Sequence, residues 1–266
     1  MVIESAPFTR WVDRRPSRFR AGPLAGVALL ALVAVAPASH AQSNGKGFLF
    51  KQPAGSFSLR AGYALANASS GVFDDATSLL TLDKRDFSAL DWGGDIAASV
   101  RNKLDIGVDV EVSSASRNSE FRDWVDNNDQ PIEQATKFVR VPLTLGVRYY
   151  PFGRGRSISQ FAYIPSRYAP YVSVGAGAMY YQFKQNGDFV DFQTLDVRTL
   201  TVESAGWTPM GRGSAGLEYS IGPWLALTGE ARYVWAKAKL DEASFVGYDK
   251  IDLTGYTGTL GFRVRF

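Results

Sequence analysis

Apolar and polar residues alternate with a period of two in eight stretches of the chain. Successive side chains of a strand point to opposite faces, so this alternation predicts strands with one apolar face. The stretches fall within residues 57–63, 90–100, 106–112, 139–149, 172–180, 215–221, 225–235 and 256–266. With their flanks they approach roughly the 9–11 residues that a tilted strand needs to cross a bilayer. The pattern therefore predicts an all-β chain.

The connections between these stretches are alternately long and short. The long polar loops are predicted at 67–88, 115–136, 185–207 and 237–252, the tight turns at 101–103 and 222–223, and a medium connection at 151–169. Loops that protrude on one side of a membrane, with turns on the other side, give this alternation. We predict an eight-stranded antiparallel up-and-down transmembrane β-barrel. The 151–169 connection fits the alternation least well, and the sequence does not decide whether it is ordered.

The polar positions of the strands carry charges of both signs, interleaved with Gly and Ser. They are Arg60, Asp95, Asp109, Glu111, Arg140, Arg148, Arg212, Glu218, Glu230, Arg232, Arg263 and Arg265. Eight strands enclose an interior just wide enough for side chains to fill. We predict that these residues face the barrel interior as a structural network of ion pairs. The alternative is that they line a narrow channel.

Aromatic residues cluster at the two ends of the apolar stripes. The long-loop ends have Tyr63, Trp92, Tyr180, Tyr233, Trp235 and Tyr256, and the short-turn ends have Phe57, Tyr149, Tyr171, Tyr219 and Phe266. Aromatic girdles at both membrane interfaces are typical of transmembrane barrels. These positions favour a barrel whose apolar face meets lipid.

The first 41 residues differ from the rest of the chain. A basic stretch is followed by a short apolar run and by the small-residue site Ser39-His40-Ala41, which is the pattern of a cleaved signal peptide. The apolar run is too short for the roughly 20 residues of a spanning helix. The predicted organisation is a signal peptide at 1–41, an N-terminal periplasmic tail or small plug at 42–55, and the barrel at 56–266.

Removal of this segment changes the charge and the available chemistry. It leaves 24 basic and 24 acidic residues, so the net charge gives no reason to expect a nucleic-acid partner. The chain has no cysteine, and its one histidine, His40, lies in the segment to be removed. Histidine-based catalysis and histidine metal ligation are thereby excluded for the mature chain. We predict no catalytic residues, no metal site, no cofactor and no enzymatic activity.

The chain ends in "GFRVRF", with apolar residues at Leu260, Phe262, Val264 and Phe266. This ending resembles the C-terminal recognition signal of bacterial outer-membrane barrels, and the mature chain resembles the small eight-stranded families typified by the OmpA transmembrane domain, OmpX and OmpW. The resemblance implies that the barrel-assembly machinery reads this strand and that the protein resides in the outer membrane. It departs from OmpA because it has no C-terminal peptidoglycan-binding domain.

The predicted role is structural or surface-interacting, with acidic long loops outside the cell. Outer-membrane lipid and lipopolysaccharide are the expected partners, with extracellular ligands bound through loop aromatics such as Phe121 and Phe189. One alternative is a narrow channel for small or hydrophobic solutes. A second is a secreted soluble barrel that binds a ligand inside, which predicts that Val139, Leu225 and Leu227, with Val141, face the interior. The sequence specifies neither a ligand nor an oligomeric state.

Overall fold

A computed structural model describes residues 48–126, 129–159, 161–191, 194 and 196–266. The predicted signal peptide at 1–41 and residues 42–47 of the predicted tail lie outside these residues. The strands are β1 (Gly55–Ala66), β2 (Ala89–Arg101), β3 (Leu104–Val125), β4 (Pro131–Tyr149), β5 (Gly155–Ser159), β6 (Ala162–Pro165), β7 (Tyr168–Val190), β8 (Val197–Ser220), β9 (Leu225–Lys239), β10 (Lys250–Asp252) and β11 (Gly255–Arg265). The helical elements are α1 (Gly71–Leu79) and a 3₁₀ turn at Lys84–Phe87.

Eight of these strands form a closed antiparallel ring. Their order is β1, β2, β3, β4, β7, β8, β9 and β11, and β11 pairs back onto β1. Gly55 and Phe266 exchange two backbone hydrogen bonds of 3.0 Å, which fastens the first strand to the end of the last. Closure removes the unpaired edges that an open sheet would present. The predicted eight-stranded antiparallel barrel is confirmed.

The apolar residues of the alternating stretches lie on the outer face of the ring, and the residues between them lie on the inner face. Ile96, Val108 and Leu145 are paired across three neighbouring strands and are 49%, 50% and 61% exposed on the outer face. The residues between them are small or charged and are buried inside. The four apolar residues of the C-terminal stripe, from Leu260 to Phe266, are likewise exposed on the outer face. The exterior of the barrel is therefore apolar and the interior polar.

Two strand pairs extend beyond the predicted loop boundaries. β3 and β4 remain paired as far as Glu120 and Glu133, and β7 and β8 as far as Val190 and Val197. The prediction of loops at 115–136 and 185–207 was wrong over these stretches. Beyond the apolar belt the outward positions become polar, as at Glu133 and Lys137, whereas the inward positions include the buried Ile132 and Phe183. The apolar outer stripe therefore ends while the backbone pairing continues. The two hairpins project together from one end of the ring, here called the long-loop end.

The long-loop end also contains helical structure that the alternation did not predict. Helix α1 lies in the connection between β1 and β2, and it buries Val72, Phe73 and Ala76 while exposing Asp74. Apolar residues at this helical spacing give α1 one face to pack against the strands. Among the described residues, no helix has the length and apolar character needed to cross a membrane.

The opposite end, here called the short-turn end, has the tight turns, both described chain ends and the 151–169 connection. This connection is ordered and contains the β5–β6 hairpin. Leu49 is buried and pairs with Tyr163 of the hairpin through hydrogen bonds of 2.8 and 2.7 Å. The described part of the predicted tail is thus attached to the connection.

Glycine permits a close strand contact in the wall. A Cβ atom built on Gly177 of β7 would overlap the carbonyl oxygen of Leu143 in β4. No side chain fits in this position, so the residue must be glycine for the two strands to pair here.

Candidate functional site: the filled interior of the barrel

All twelve residues predicted to face the interior have buried side chains inside the ring. Four further charged residues are buried with them: Asp91, Asp105, Arg154 and Asp252. Together, the described residues bury eight arginines and eight carboxylates. A buried charge is costly unless it is paired, so this balance of charge is what allows the interior to be ionic.

Asp95 of β2 is at the centre of the network. Its Oδ1 atom accepts from Arg60, from Arg148 at 3.2 Å and from Arg263 at 3.2 Å. The hydroxyl of Ser58 donates to the same oxygen. Since these partners come from β1, β4 and β11, one carboxylate connects four strands across the barrel.

A second group of contacts surrounds Asp109 and Glu111 of β3. Arg212 contacts Asp109 at 2.6 Å, and Arg60 contacts both carboxylates. Arg232 of β9 contacts Glu111 and, at 2.7 Å, Glu230 of its own strand. These contacts join β3 to strands on the far side of the ring, so the interior is filled rather than lined.

Glu218 of β8 organises the short-turn end of the interior. It accepts from Arg263, from Arg265 at 2.8 Å and from the hydroxyl of Tyr150. Nearby, Arg154 is paired with Asp105 at 2.9 Å and donates to Ser99 at 2.6 Å. Arg154 lies in the 151–169 connection and was not among the residues predicted to face the interior. The structure instead folds the 151–169 connection so that this side chain closes the mouth of the barrel.

Arg140 of β4 differs from the other interior arginines. Among the described residues no carboxylate lies within 4.0 Å of its guanidinium group. Its nearest partners are the ring of Phe138, 5.3 Å from centroid to Cζ, and the carbonyl oxygen of Leu253 at 3.5 Å. Arg140 thus marks the boundary between the ionic interior and an apolar region above it.

That apolar region fills the barrel at its long-loop end and is here called the cap. Phe73 of α1 lies at its centre, with ring centroids 4.7 Å from Phe87, 5.4 Å from Phe138 and 5.6 Å from Phe183. Residues 240–253 contribute the remaining side. Their buried apolar members are Leu240, Phe245, Ile251 and Leu253. The cap is built from strands and from two connections, and its buried apolar area stabilises it.

Two polar contacts attach the connections to each other at the cap. The hydroxyl of Tyr248 donates to Asp75 at 2.6 Å. Burial, together with this carboxylate, raises the pKa of Tyr248 well above the ordinary tyrosine value. Asp252 accepts from Ser69 at 2.6 Å and from the backbone N–H of Thr254 at 3.1 Å. Burial raises the pKa of Asp252, but these hydrogen bonds outweigh it and hold the pKa below its ordinary value.

Little space remains between the interior charges. A cavity lined by Asp95, Asp109, Arg148 and Arg212 has a volume of about 10 Å³. A cavity of this size has room for at most about one water molecule. At this level the interior has no room for a solute.

Three aromatic residues lie elsewhere than the sequence suggested. Tyr171 was assigned to the short-turn girdle, but it is buried inside and donates to Glu230 at 2.6 Å. Tyr171 lies two residues before Ser173 and therefore on the same, inward face of β7, whereas Val172 and Val174 point outward. The alternation alone was therefore sufficient to place Tyr171 inside. Phe121 and Phe189 were expected on exposed loops; both are partly buried against the cap.

The chain matches no protein-family model, and it matches no curated protein sequence. Among solved structures it is similar to a major outer membrane protein of Thermus thermophilus, with 13% identity, 80% of this chain and 100% of that chain covered, and a TM-score of 0.41. It is also similar to outer membrane protein W of Escherichia coli, with 19% identity, coverage of 81% and 100%, and a TM-score of 0.38. A third is the outer membrane protease OmpT of Escherichia coli, with 12% identity, coverage of 82% and 98%, and a TM-score of 0.32.

All three are outer-membrane proteins, the class that the C-terminal stripe resembles. At these identities and TM-scores the likeness carries no information about the activity of this chain.

Proposed function

We propose that the chain is an integral outer-membrane β-barrel with a structural or surface-interaction role, closed to solutes and without catalytic chemistry. One observation carries the proposal. The outer face of the ring is a continuous apolar belt, whereas the interior is filled by paired charges and an apolar cap. A barrel in lipid has this polarity, and a barrel in water has the opposite one.

The outer belt argues against a secreted soluble barrel. That alternative requires Val139, Val141, Leu225 and Leu227 to point inward. The structure places them at outward positions, with Leu227 38% exposed. A contiguous apolar belt of this size is an aggregation hazard in water, whereas lipid covers it.

The proposed orientation follows from the two ends of the ring. The short-turn end, where the chain begins and finishes its described course, faces the periplasm, and the long-loop end faces the outside of the cell. The predicted signal peptide at 1–41 supports export, and the outward stripe from Leu260 to Phe266 supports recognition by the barrel-assembly machinery. Lipopolysaccharide is then the lipid that surrounds the long-loop end.

The interior argues for a closed barrel rather than a channel. A conducting path must pass the cap around Phe73 and then the contacts of Asp95 and Asp109. At the level of these two carboxylates the cavity admits about one water molecule, with a volume of about 10 Å³. The projecting hairpins β3–β4 and β7–β8 then offer the surface through which the protein acts.

Single-channel recording tests this proposal. The mature chain is refolded in detergent, checked for heat-dependent electrophoretic mobility, and inserted into planar bilayers. We expect no discrete conductance, while a general porin in the same bilayers serves as the control for insertion. Reproducible openings would contradict a closed barrel, and Arg148 and Glu111 would then be mutated first because they line the interior.

A further inference from the structure

The wall of the barrel is interrupted between β8 and β9 at the long-loop end. The two strands pair from Ser220 and Ala226 up to Met210 and Ala236, where the pairing stops. Beyond this point β8 continues to Val197 with only β7 as a neighbour, whereas residues 237–239 of β9 pair with β10. The strands therefore diverge and leave a gap in the wall.

The gap opens a cleft of about 520 Å³. At its inner side, two side-chain hydrogen bonds cross the cleft. The hydroxyl of Thr208 donates to the carbonyl oxygen of Lys237 at 2.7 Å, and the hydroxyl of Tyr181 donates to that of Lys239 at 2.5 Å. Side chains thus replace the missing backbone hydrogen bonds and hold the two walls of the cleft at a fixed separation.

Three lysines carry the charge of this cleft. Lys237, Lys239 and Lys250 line it, and all three are exposed. Lys239 and Lys250 are directly opposite each other in the β9–β10 pair, an arrangement in which like charges repel. In the described part of the chain the lysines with a carboxylate within 4.0 Å are Lys84 and Lys184, so none of these three is paired.

Two carboxylates near the cleft are hydrogen-bonded within the chain, and Asp252 lies directly opposite Lys237 in the β9–β10 pair. Asp241 lies in its lining and accepts from the backbone N–H of Ser244 at 3.2 Å. Glu203 of β8 contacts Lys184 at 3.6 Å and accepts from Gln182 at 2.6 Å. The lining of the cleft contains three lysines and one carboxylate, a formal charge of +2, which an anion from outside the chain would neutralise.

The cleft lies at the level of a membrane interface. On the outer face of β9, Tyr233 and Trp235 are followed at the next two outward positions by Lys237 and Lys239. Trp207, 62% exposed, lies on the β8 side of the cleft. Aromatic residues followed by lysine are typical of the headgroup region, where lipid phosphates lie.

We propose that this cleft binds the phosphate group of an anionic lipid from the outer leaflet. Lys237, Lys239 and Lys250 contact the phosphate, while Trp207 and Pro209 pack against the apolar part of the lipid. The volume of the cleft suits a headgroup, and its opening through the wall lets the acyl chains remain in the bilayer. The inference rests on the proposed outer-membrane function.

Lipid titration tests this site. The refolded barrel in dodecyl maltoside micelles is titrated with diphosphoryl lipid A, and bound lipid is measured by native mass spectrometry. The variant Lys237→Gln/Lys239→Gln/Lys250→Gln is compared with the matched variant Lys51→Gln/Lys103→Gln/Lys137→Gln, which removes the same charge elsewhere. We expect the first variant to bind about 10- to 100-fold more weakly and the second to bind within about twofold of the parent chain.

A second variant tests the shape of the cleft independently of its charge. Ala205→Trp fills the cleft while all three lysines remain, and we expect it to lose binding as well. Inorganic phosphate at equal concentration is expected to compete weakly, because it lacks the apolar part that Trp207 contacts.

Equal loss in both lysine variants, unchanged binding by Ala205→Trp, or full competition by phosphate would each overturn the lipid site. Failure of the parent chain to fold in detergent would instead overturn the proposed function.

Discussion

At the scale of single residues, the interior arginines are not equivalent. Arg263 is fully buried and contacts Asp95 at 3.2 Å, Glu218, and the hydroxyl of Tyr150 at 3.2 Å. Arg140 is also buried but has no carboxylate within 4.0 Å among the described residues. Since removal of one partner from a buried pair leaves an uncompensated charge, the two residues make a matched test of the network.

We expect Arg263→Met to lower the free energy of unfolding by about 3–5 kcal/mol. Arg140→Met is expected to change it by less than about 1 kcal/mol, because methionine replaces a buried charge that has no close ion pair. Urea unfolding of the barrel in lipid vesicles measures both values. If the two variants are destabilised equally, the individual ion pairs do not determine the stability of the interior.

At the scale of elements, the cap is held by the connection between β1 and β2 and by the connection between β9 and β11. Asp252 joins them, because it accepts from Ser69 just before α1 while its own backbone N–H donates to Ser70 at 3.1 Å. Its pKa is lower in the folded cap than the ordinary 3.8. The ionised form therefore stabilises the closed cap at every pH above that ordinary value, and this contribution is lost as the pH falls below it.

Acidification is accordingly expected to loosen α1 from residues 240–253. The chain has no cysteine, so spin labels can be attached at Ser78→Cys and Glu242→Cys, two exposed positions on the two connections. We expect the distance distribution between the labels to broaden as the pH falls below 3.8. Asp252→Asn should abolish this pH dependence, whereas Asp74→Asn, which removes an exposed carboxylate of α1, should retain it. A response that persists in Asp252→Asn would assign the effect to another group.

At the scale of the whole molecule, the barrel is inverted relative to a water-soluble protein. Along the apolar belt the charges are inside, where they neutralise one another, and the outward residues are apolar. Leu145, 61% exposed in the row that also contains Ile96 and Val108, lies in the middle of the outer belt. The environment around the protein, rather than contacts within it, therefore determines which substitutions are tolerated at Leu145.

We expect Leu145→Arg to destabilise the folded barrel in vesicles by about 2–4 kcal/mol, because arginine would be placed near the bilayer midplane. Leu145→Ala, which removes a side chain that is 61% exposed, should be tolerated. Unfolding titrations in vesicles compare the two variants with the parent chain. A stable Leu145→Arg barrel that remains folded in detergent-free buffer would refute the membrane assignment.

The sequence by itself determined the fold and the sorting of residues between its faces. A strand has a period of two, so the alternation around Leu145 or Phe262 specifies which residues share a face before any partner is known. Eight such stretches with alternating connections then leave a closed ring as the arrangement without free edges. Where the alternation was ignored, as at Tyr171, the assignment was wrong.

Only the tertiary structure decided which residues meet. Asp95 and Arg263 are far apart in the chain, and nothing in either strand indicates that they form a pair across the barrel. The same holds for the cap, where α1 carries Phe73 into the mouth of the ring, and for Arg154, which a folded connection turns inward. The cleft beside Lys239 depends on the residue at which β8 and β9 stop pairing. These features arise because closure of the ring brings strands that are distant in the sequence within contact distance of one another. A local sequence pattern contains no information about such long-range contacts.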